Sequence, residues 1–190
     1  MKRRLIGLTG PAGCGKDSTA DYLCAKYGFV RYAFAGPIKA MLRAIGVDAD
    51  SRDTKELPHP LFGVSPRRMA QTLGTEWMRE MVCEDGWLRL AGAFIDKVEA
   101  GHVAINTLRG PTSQQYQPTG IVFTDVRFEN EAAFLRNRGG RIWHIKRSGL
   151  APVEAHKSES GVSWAADTDY IIYNDESFKE LHEQINERMR

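Results

Sequence analysis

Gly10-Pro11-Ala12-Gly13-Cys14-Gly15-Lys16-Asp17 constrains this chain more than any other stretch. It has the spacing G-x-x-x-x-G-K, with aspartate where serine or threonine usually follows the lysine. Backbone N–H groups close around an oxyanion only where the chain turns tightly and side chains stand aside, so glycines recur at 10, 13 and 15. The flanks are the ones such a loop needs. Leu5-Ile6-Gly7-Leu8 is a short apolar run of the buried-strand type. Ala20, Leu23, Cys24 and Tyr27 then follow at helical spacing, with Gly28 as the stop. Strand, loop and helix together put the loop at a helix N-terminus, where unpaired N–H groups and the macrodipole favour anions. Gly10, Ala12, Gly13, Cys14, Gly15, Lys16, Asp17 and Ser18 are therefore the expected phosphate cradle, with Lys16 supplying the positive charge. A glycine-rich turn that merely joins a strand to a helix is the alternative.

At 190 residues the chain is expected to form one well-buried domain. Its 26 basic and 24 acidic residues leave a net charge of +2, which makes no general case for nucleic-acid binding. Three cysteines, Cys14, Cys24 and Cys83, and five scattered histidines suggest neither a disulfide framework nor a zinc site. No run approaches the roughly 20 apolar residues that span a bilayer. A soluble, cytoplasmic protein with no membrane partner is expected.

Phe29 to Phe34 reads as the second strand. Pro37 suits the first turn of a following helix with the stripe Ile38, Met41, Leu42 and Ile45, ended by Gly46. Lys39 lies off that stripe, facing either a ligand phosphate or water. Val47 to Val64 mixes charges and prolines with little periodicity and reads as a long loop. Ser65-Pro66 signals the N-cap and first turn of a short helix running to Gly74. Arg67, Arg68, Gln71, Thr75, Glu76, Trp77 and Arg79 bring together donors, acceptors and a stacking surface, an inventory suited to a flat phosphorylated ligand. A polar helix face with Trp77 in the core explains the same letters. Trp87, Leu90, Ala91, Phe94 and Val98 form a helical stripe that Asp85 opens and Gly101 ends.

His102 to Asn106 reads as a short extended piece and Thr107 to Gly120 as a polar surface excursion. Ile121-Val122-Phe123-Thr124-Asp125 is a strand ending in an acid. Beside a phosphate loop such an acid commonly holds Mg²⁺; a cap or turn residue is the alternative. Arg127 follows two positions later, within reach of the same phosphates. Phe134 and Leu135 mark a helix ending at Gly139-Gly140, and Arg141 to Lys146 is the fourth strand, with His144 in a structural role. Arg147 through Trp164 reads as a lid, punctuated by Gly149, Pro152 and Gly161. Tyr170 to Tyr173 is the fifth strand. Ser177 and Glu180 form a capping box before a last helix that buries Phe178, Leu181, Ile185 and Met189. Five strands separated by helices imply α/β architecture, a parallel sheet covered on both faces. Gly10, Gly36, Asp125 and Arg147 all fall at strand carboxyl ends, where such sheets bind ligands.

Gly15-Lys16-Asp17-Ser18, Phe34-Ala35-Gly36-Pro37-Ile38-Lys39, Gln71-Thr72-Leu73-Gly74-Thr75-Glu76-Trp77, Asp125-Val126-Arg127-Phe128-Glu129-Asn130-Glu131 and His156-Lys157-Ser158-Glu159 occur in this order. Together they resemble the deoxynucleoside monophosphate kinases of bacteriophages and prophages, from Leu5 to about Leu181. The resemblance implies a P-loop kinase domain with a monophosphate-binding region at about 36–100 and a lid at about 147–165. It implies transfer of the γ-phosphoryl of ATP to a deoxynucleoside monophosphate, with Mg²⁺ near Asp17 and Asp125. Lys16, Arg127 and Arg147 would then act on the transferring phosphoryl. Lys39, Arg67, Arg68, Gln71, Thr75, Glu76, Trp77 and Arg79 would bind the acceptor. A homodimer is also implied. Gly36 stands where relatives often have aspartate, and Thr107 to Gly120 is an extra loop; either bears on substrate choice. Two other readings share the loop: a kinase of the dephospho-coenzyme A or phosphomevalonate type, and a slow nucleotide-binding switch.

Overall fold

The computed structural model describes residues 3–51, 53–102, 117–150 and 162–190. Residues 103–106 of the expected extended piece, most of the 107–120 excursion and the centre of the expected lid, including His156 to Glu159, lie outside these residues. Contacts divide the chain into two compact units: residues up to Ala33 together with Phe94 onward, and Phe34–Ala93.

The first unit is built on a sheet of five described strands, β1 (Arg4–Thr9), β2 (Phe29–Tyr32), β3 (Gly120–Phe123), β4 (Arg141–Lys146) and β5 (Tyr170–Tyr173). All pair in parallel, in the order β2-β3-β1-β4-β5. β1 is central, with Ile6 registered against Val122 on one side and Arg141 on the other. Alternation along β1 assigns its two faces. Ile6 and Leu8 join Trp143, Ile145 and Ile172 beneath Leu23 of α1 (Lys16–Tyr27) and Leu181 and Ile185 of α6 (Phe178–Met189). On the opposite face α5 (Glu129–Asn137) packs against β1 and β4 through buried Ala132 and Leu135. Near-continuous apolar strands such as β3, buried along its whole length, follow from this double cover. The connection from β1 leads across β3 to β2 while β4 lies on the other side. The strand order therefore reverses beside β1, and in open α/β sheets this is where ligands settle.

Helix ends follow local chemistry. Ser177 Oγ accepts from Glu180 N, and the Glu180 carboxylate accepts from Ser177 N at 2.7 Å, closing the expected capping box on α6. Buried Glu131 accepts from the backbone N–H groups of Arg127 and Phe128, covering the start of α5. Phe178 departs from expectation: it is exposed, beside His182, and α6 buries only Leu181 and Ile185 fully. β2 stops at Tyr32, two residues short of the apolar run that suggested it.

The second unit holds α2 (Gly36–Ala44), α3 (Pro66–Thr72) and the start of α4 (Gly86–Glu99). Ser65 Oγ accepts from Arg68 N, so the expected N-cap forms. Gly74 does not end this helix. The chain continues as a wide, π-type helix over Leu73–Val82. Gly74 serves two other ends: a Cβ there would lie 3.0 Å from Ile38 of α2, and its carbonyl accepts from Trp87 Nε1 at 2.8 Å. In α4 the buried positions are Trp87, Ala91, Ile95 and Val98; Leu90, expected inside, is exposed.

Candidate phosphate and acceptor sites

β1 delivers the chain to Gly10 and α1 takes it away from Gly15, so the sheet fixes both ends of the loop. At Gly10 φ is +141°, and a Cβ would lie 2.3 Å from the backbone oxygen of Ile145 on β4. At Gly15 φ is +106°, and a Cβ would lie 2.3 Å from Asn174 Nδ2. Only glycine satisfies both the backbone angles and the packing. Asn174, just beyond β5, donates Nδ2–H to Cys14 O at 2.9 Å, while its own N–H bonds Lys146 O at 2.8 Å. The loop is thus tied to the carboxyl ends of β4 and β5. Gly15 offers no side-chain cap to α1, so the first-turn N–H groups remain for an anion.

Lys16 Nζ donates to Gly10 O at 2.7 Å and Pro11 O at 2.8 Å, holding the ammonium over the loop. Cys14 is fully buried, with Sγ 3.8 Å from that ammonium. Thr19 donates both N–H and hydroxyl to Gly15 O and is buried, a supporting role. Arg147 Nη1 approaches Gly13 O at 3.5 Å, so this cation stands beside the loop. Asp17 is exposed and its Oδ1 lies 2.6 Å from Arg31 Nη2. Asp125 follows β3 and is half-buried near Tyr32. Burial first, then the Asp125 charge, pushes the Tyr32 hydroxyl up to about 12. Val126 N–H bonds Leu8 O at 3.0 Å, and Thr124 N–H bonds Tyr32 O at 3.0 Å, which fixes the Asp125 segment between the ends of β1 and β2. Arg127 is exposed. No group of three or more His, Cys, Asp or Glu is poised to hold a metal among the described residues.

The other candidates cluster on the second unit. Lys39 Nζ lies 2.6 Å from Asp50 Oδ1, Arg67 Nη1 2.8 Å from Glu56 Oε1, and Arg68 Nη2 3.0 Å from Glu76 Oε1. Hydrogen bonds from Lys39, then Arg43, hold the Asp50 carboxyl below the usual range. Gln71 lies on α3, while Thr75, Glu76, Trp77 and Arg79 lie on its π-type continuation. Trp77 is 37% exposed, so it is not a core residue. Glu76 Oε2 is buried without a hydrogen-bond partner among the described residues. The sequence pointed to neither Asn174 nor Arg31 as part of the phosphate site. Asn174 follows β5 by one residue and Arg31 sits inside β2, and only the strand order brings them to the loop.

The chain matches the family model described as deoxynucleotide monophosphate kinase over residues 4–62 and 62–185. A protein of Acanthamoeba polyphaga mimivirus assigned as a deoxynucleotide monophosphate kinase is 31% identical to it, over 95% of this chain and 93% of that one. The deoxynucleotide monophosphate kinase of Escherichia phage RB69 is 24% identical, over 98% of this chain and 99% of its own. Among solved structures, a protein of Chloroflexus aurantiacus assigned as a kinase superposes with a TM-score of 0.54 at 11% identity, over 99% of this chain and 94% of that one, and shows the same fold.

Proposed function

The chain belongs to the deoxynucleotide monophosphate kinase family, and we propose that it transfers the γ-phosphoryl of ATP to a deoxynucleoside monophosphate, releasing ADP and the deoxynucleoside diphosphate. The observation that carries this reading is the loop from Gly10 to Lys16, held at the carboxyl end of the central strand with an uncapped helix start behind it. Such a cradle binds the β- and γ-phosphates through backbone N–H groups, and Lys16 neutralises the charge that builds up between them in transfer. Arg147 and Arg127 are assigned as further cations toward the moving phosphoryl.

Asp17 and Asp125 supply the hard oxygen donors that Mg²⁺ takes, one or two carboxylates being enough when phosphates complete the shell. Asp17 fits this role because only its Oδ1 is engaged among the described residues, by Arg31, and the carboxylate is exposed. Held there, Mg²⁺ would supply positive charge that offsets the charge of the phosphates.

We assign acceptor binding to Lys39, Arg67, Arg68, Gln71, Thr75, Glu76, Trp77 and Arg79, and the 36–100 stretch as the monophosphate region. The unmet Glu76 Oε2 supports this, since a sugar hydroxyl or a base N–H would supply its missing donor. Exposed Trp77 offers a flat face for a base. The acceptor is already an anionic nucleophile, so positioning and charge neutralisation suffice and no strong general base is needed. The segment at about 147–165 is assigned to closure over the nucleotides, a reading that rests on sequence. No helix among the described residues is long and apolar enough to cross a membrane. A cytoplasmic homodimer completes the proposal, with the mass in solution as its check.

The test is ADP release from MgATP with each ribo- and deoxyribonucleoside monophosphate, against a no-acceptor blank. Turnover confined to deoxy acceptors, with the diphosphate identified, is expected. Dephospho-coenzyme A and phosphomevalonate belong in the panel; turnover with either alone, or ATP binding without transfer to any acceptor, overturns the assignment.

A further inference from the structure

Arg31 lies in β2, and its guanidinium forks across two carboxylates one turn apart on α1. Nη2 is 2.6 Å from Asp17 Oδ1 and Nη1 is 2.5 Å from Asp21 Oδ1. Asp17 stands where a loop of this spacing usually carries a neutral hydroxyl. The substitution puts a negative charge into the first helical turn, the place where a triphosphate must also put its own. A carboxylate left alone there would repel the nucleotide, and the helix dipole that favours anions would be partly spent on Asp17.

We propose that Arg31 is a positioning residue of the nucleotide site. It cancels the charge of Asp17 toward the incoming triphosphate and holds the carboxylate by Oδ1, so that Oδ2 stays available to a hard cation. Asp21 keeps the guanidinium in place through its second nitrogen. This inference rests on the kinase reading and deepens it: the loop tolerates aspartate after its lysine because β2 brings a cation to meet it. Its signature is a dependence on metal. Metal-free ATP feels the bare carboxylate once Arg31 is removed, whereas MgATP brings a cation with it and feels it far less.

The experiment measures ATP dissociation constants by calorimetry, with EDTA and with excess Mg²⁺, for the wild type, Arg31→Gln, Arg31→Lys, Asp17→Asn and the Arg31→Gln/Asp17→Asn double variant. Arg31→Gln is expected to weaken metal-free binding about ten-fold and MgATP binding less than about three-fold. Asp17→Asn in the same chain should restore metal-free binding to within about two-fold of Asp17→Asn alone, the mark of a coupled pair. Arg31→Lys, which keeps the positive charge, should recover most of the loss. Equal weakening of both forms with no rescue by Asp17→Asn indicates a merely structural arginine and overturns the proposal. Unchanged binding in Arg31→Gln overturns it as well, while leaving the kinase reading intact. A wild type that binds neither form overturns both.

Discussion

Replacing Asp169 by asparagine removes one negative charge and almost no volume, from a site where the structure gives that charge five polar contacts from four residues. The Asp169 side chain is fully buried. Its Oδ1 accepts from Arg136 Nε at 3.1 Å and Thr168 Oγ1 at 3.0 Å. Oδ2 accepts from Arg136 Nη2 at 2.6 Å and Ala165 N at 3.0 Å, and His144 Nε2 lies 3.0 Å from it. Burial alone would raise the carboxyl, but the hydrogen bonds from Arg136, His144, Ala165 and Thr168 outweigh it and hold Asp169 at about 2. Against the ordinary 3.8, at about 1.4 kcal/mol per unit, the ionised form contributes about 2 kcal/mol to folding. Asparagine retains one acceptor oxygen and turns an NH₂ toward donors, leaving Arg136, itself only 17% exposed, short of its counter-charge. The expected loss is therefore larger, about 3–5 kcal/mol, or a fall in Tm of about 10 °C. Because the folded-state pKa is lowered, the contribution is fully present above pH about 3.8 and is lost as pH falls toward about 2. Urea unfolding of wild type and variant across pH 7 to 3 should show a gap that is level above pH about 4 and narrows below it. A gap under about 1 kcal/mol, or one that does not narrow in acid, would refute this account of Asp169.

Other expectations concern the loop. Lys16→Ala should lower transfer at least about 100-fold while the thermal melt stays near wild type; comparable activity would remove the loop from the mechanism. Gly10→Ala drives a Cβ against the Ile145 carbonyl, so ATP binding should vanish by calorimetry while the far-ultraviolet spectrum remains α/β. Asn174→Ala breaks the bond to Cys14 O and should raise the ATP Kd about five-fold, the worth of one neutral hydrogen bond; an unchanged Kd would show that the loop keeps its shape unaided. Tyr32, pushed up to about 12 by burial and by Asp125, should resist ionisation in a spectrophotometric titration, and Asp125→Asn should bring its midpoint down.

What the sequence determined by itself was everything carried by near neighbours in the chain. The phosphate loop, the Ser65 and Ser177 caps, β4 and β5 to the residue, and the parallel sheet depend on spacing, turn chemistry and apolar runs, which act over a few residues. The short motifs that follow one another along the sequence from Gly15 to Glu159 likewise carried the family resemblance. At Gly74 the local signal misled because distant partners override it. Gly74 reads as a stop, yet its lack of a side chain admits Ile38 and its carbonyl serves Trp87, so the helix runs on. Phe178 has the right spacing for the core and sits outside it. Only the tertiary structure could show that Asn174 braces a loop 160 residues earlier, that Arg31 meets Asp17, and that Asp169 gathers Arg136 and His144. These pairings depend on which strand ends lie side by side. The order β2-β3-β1-β4-β5 is settled by how helices cover both faces of the sheet, and no short stretch of sequence contains it.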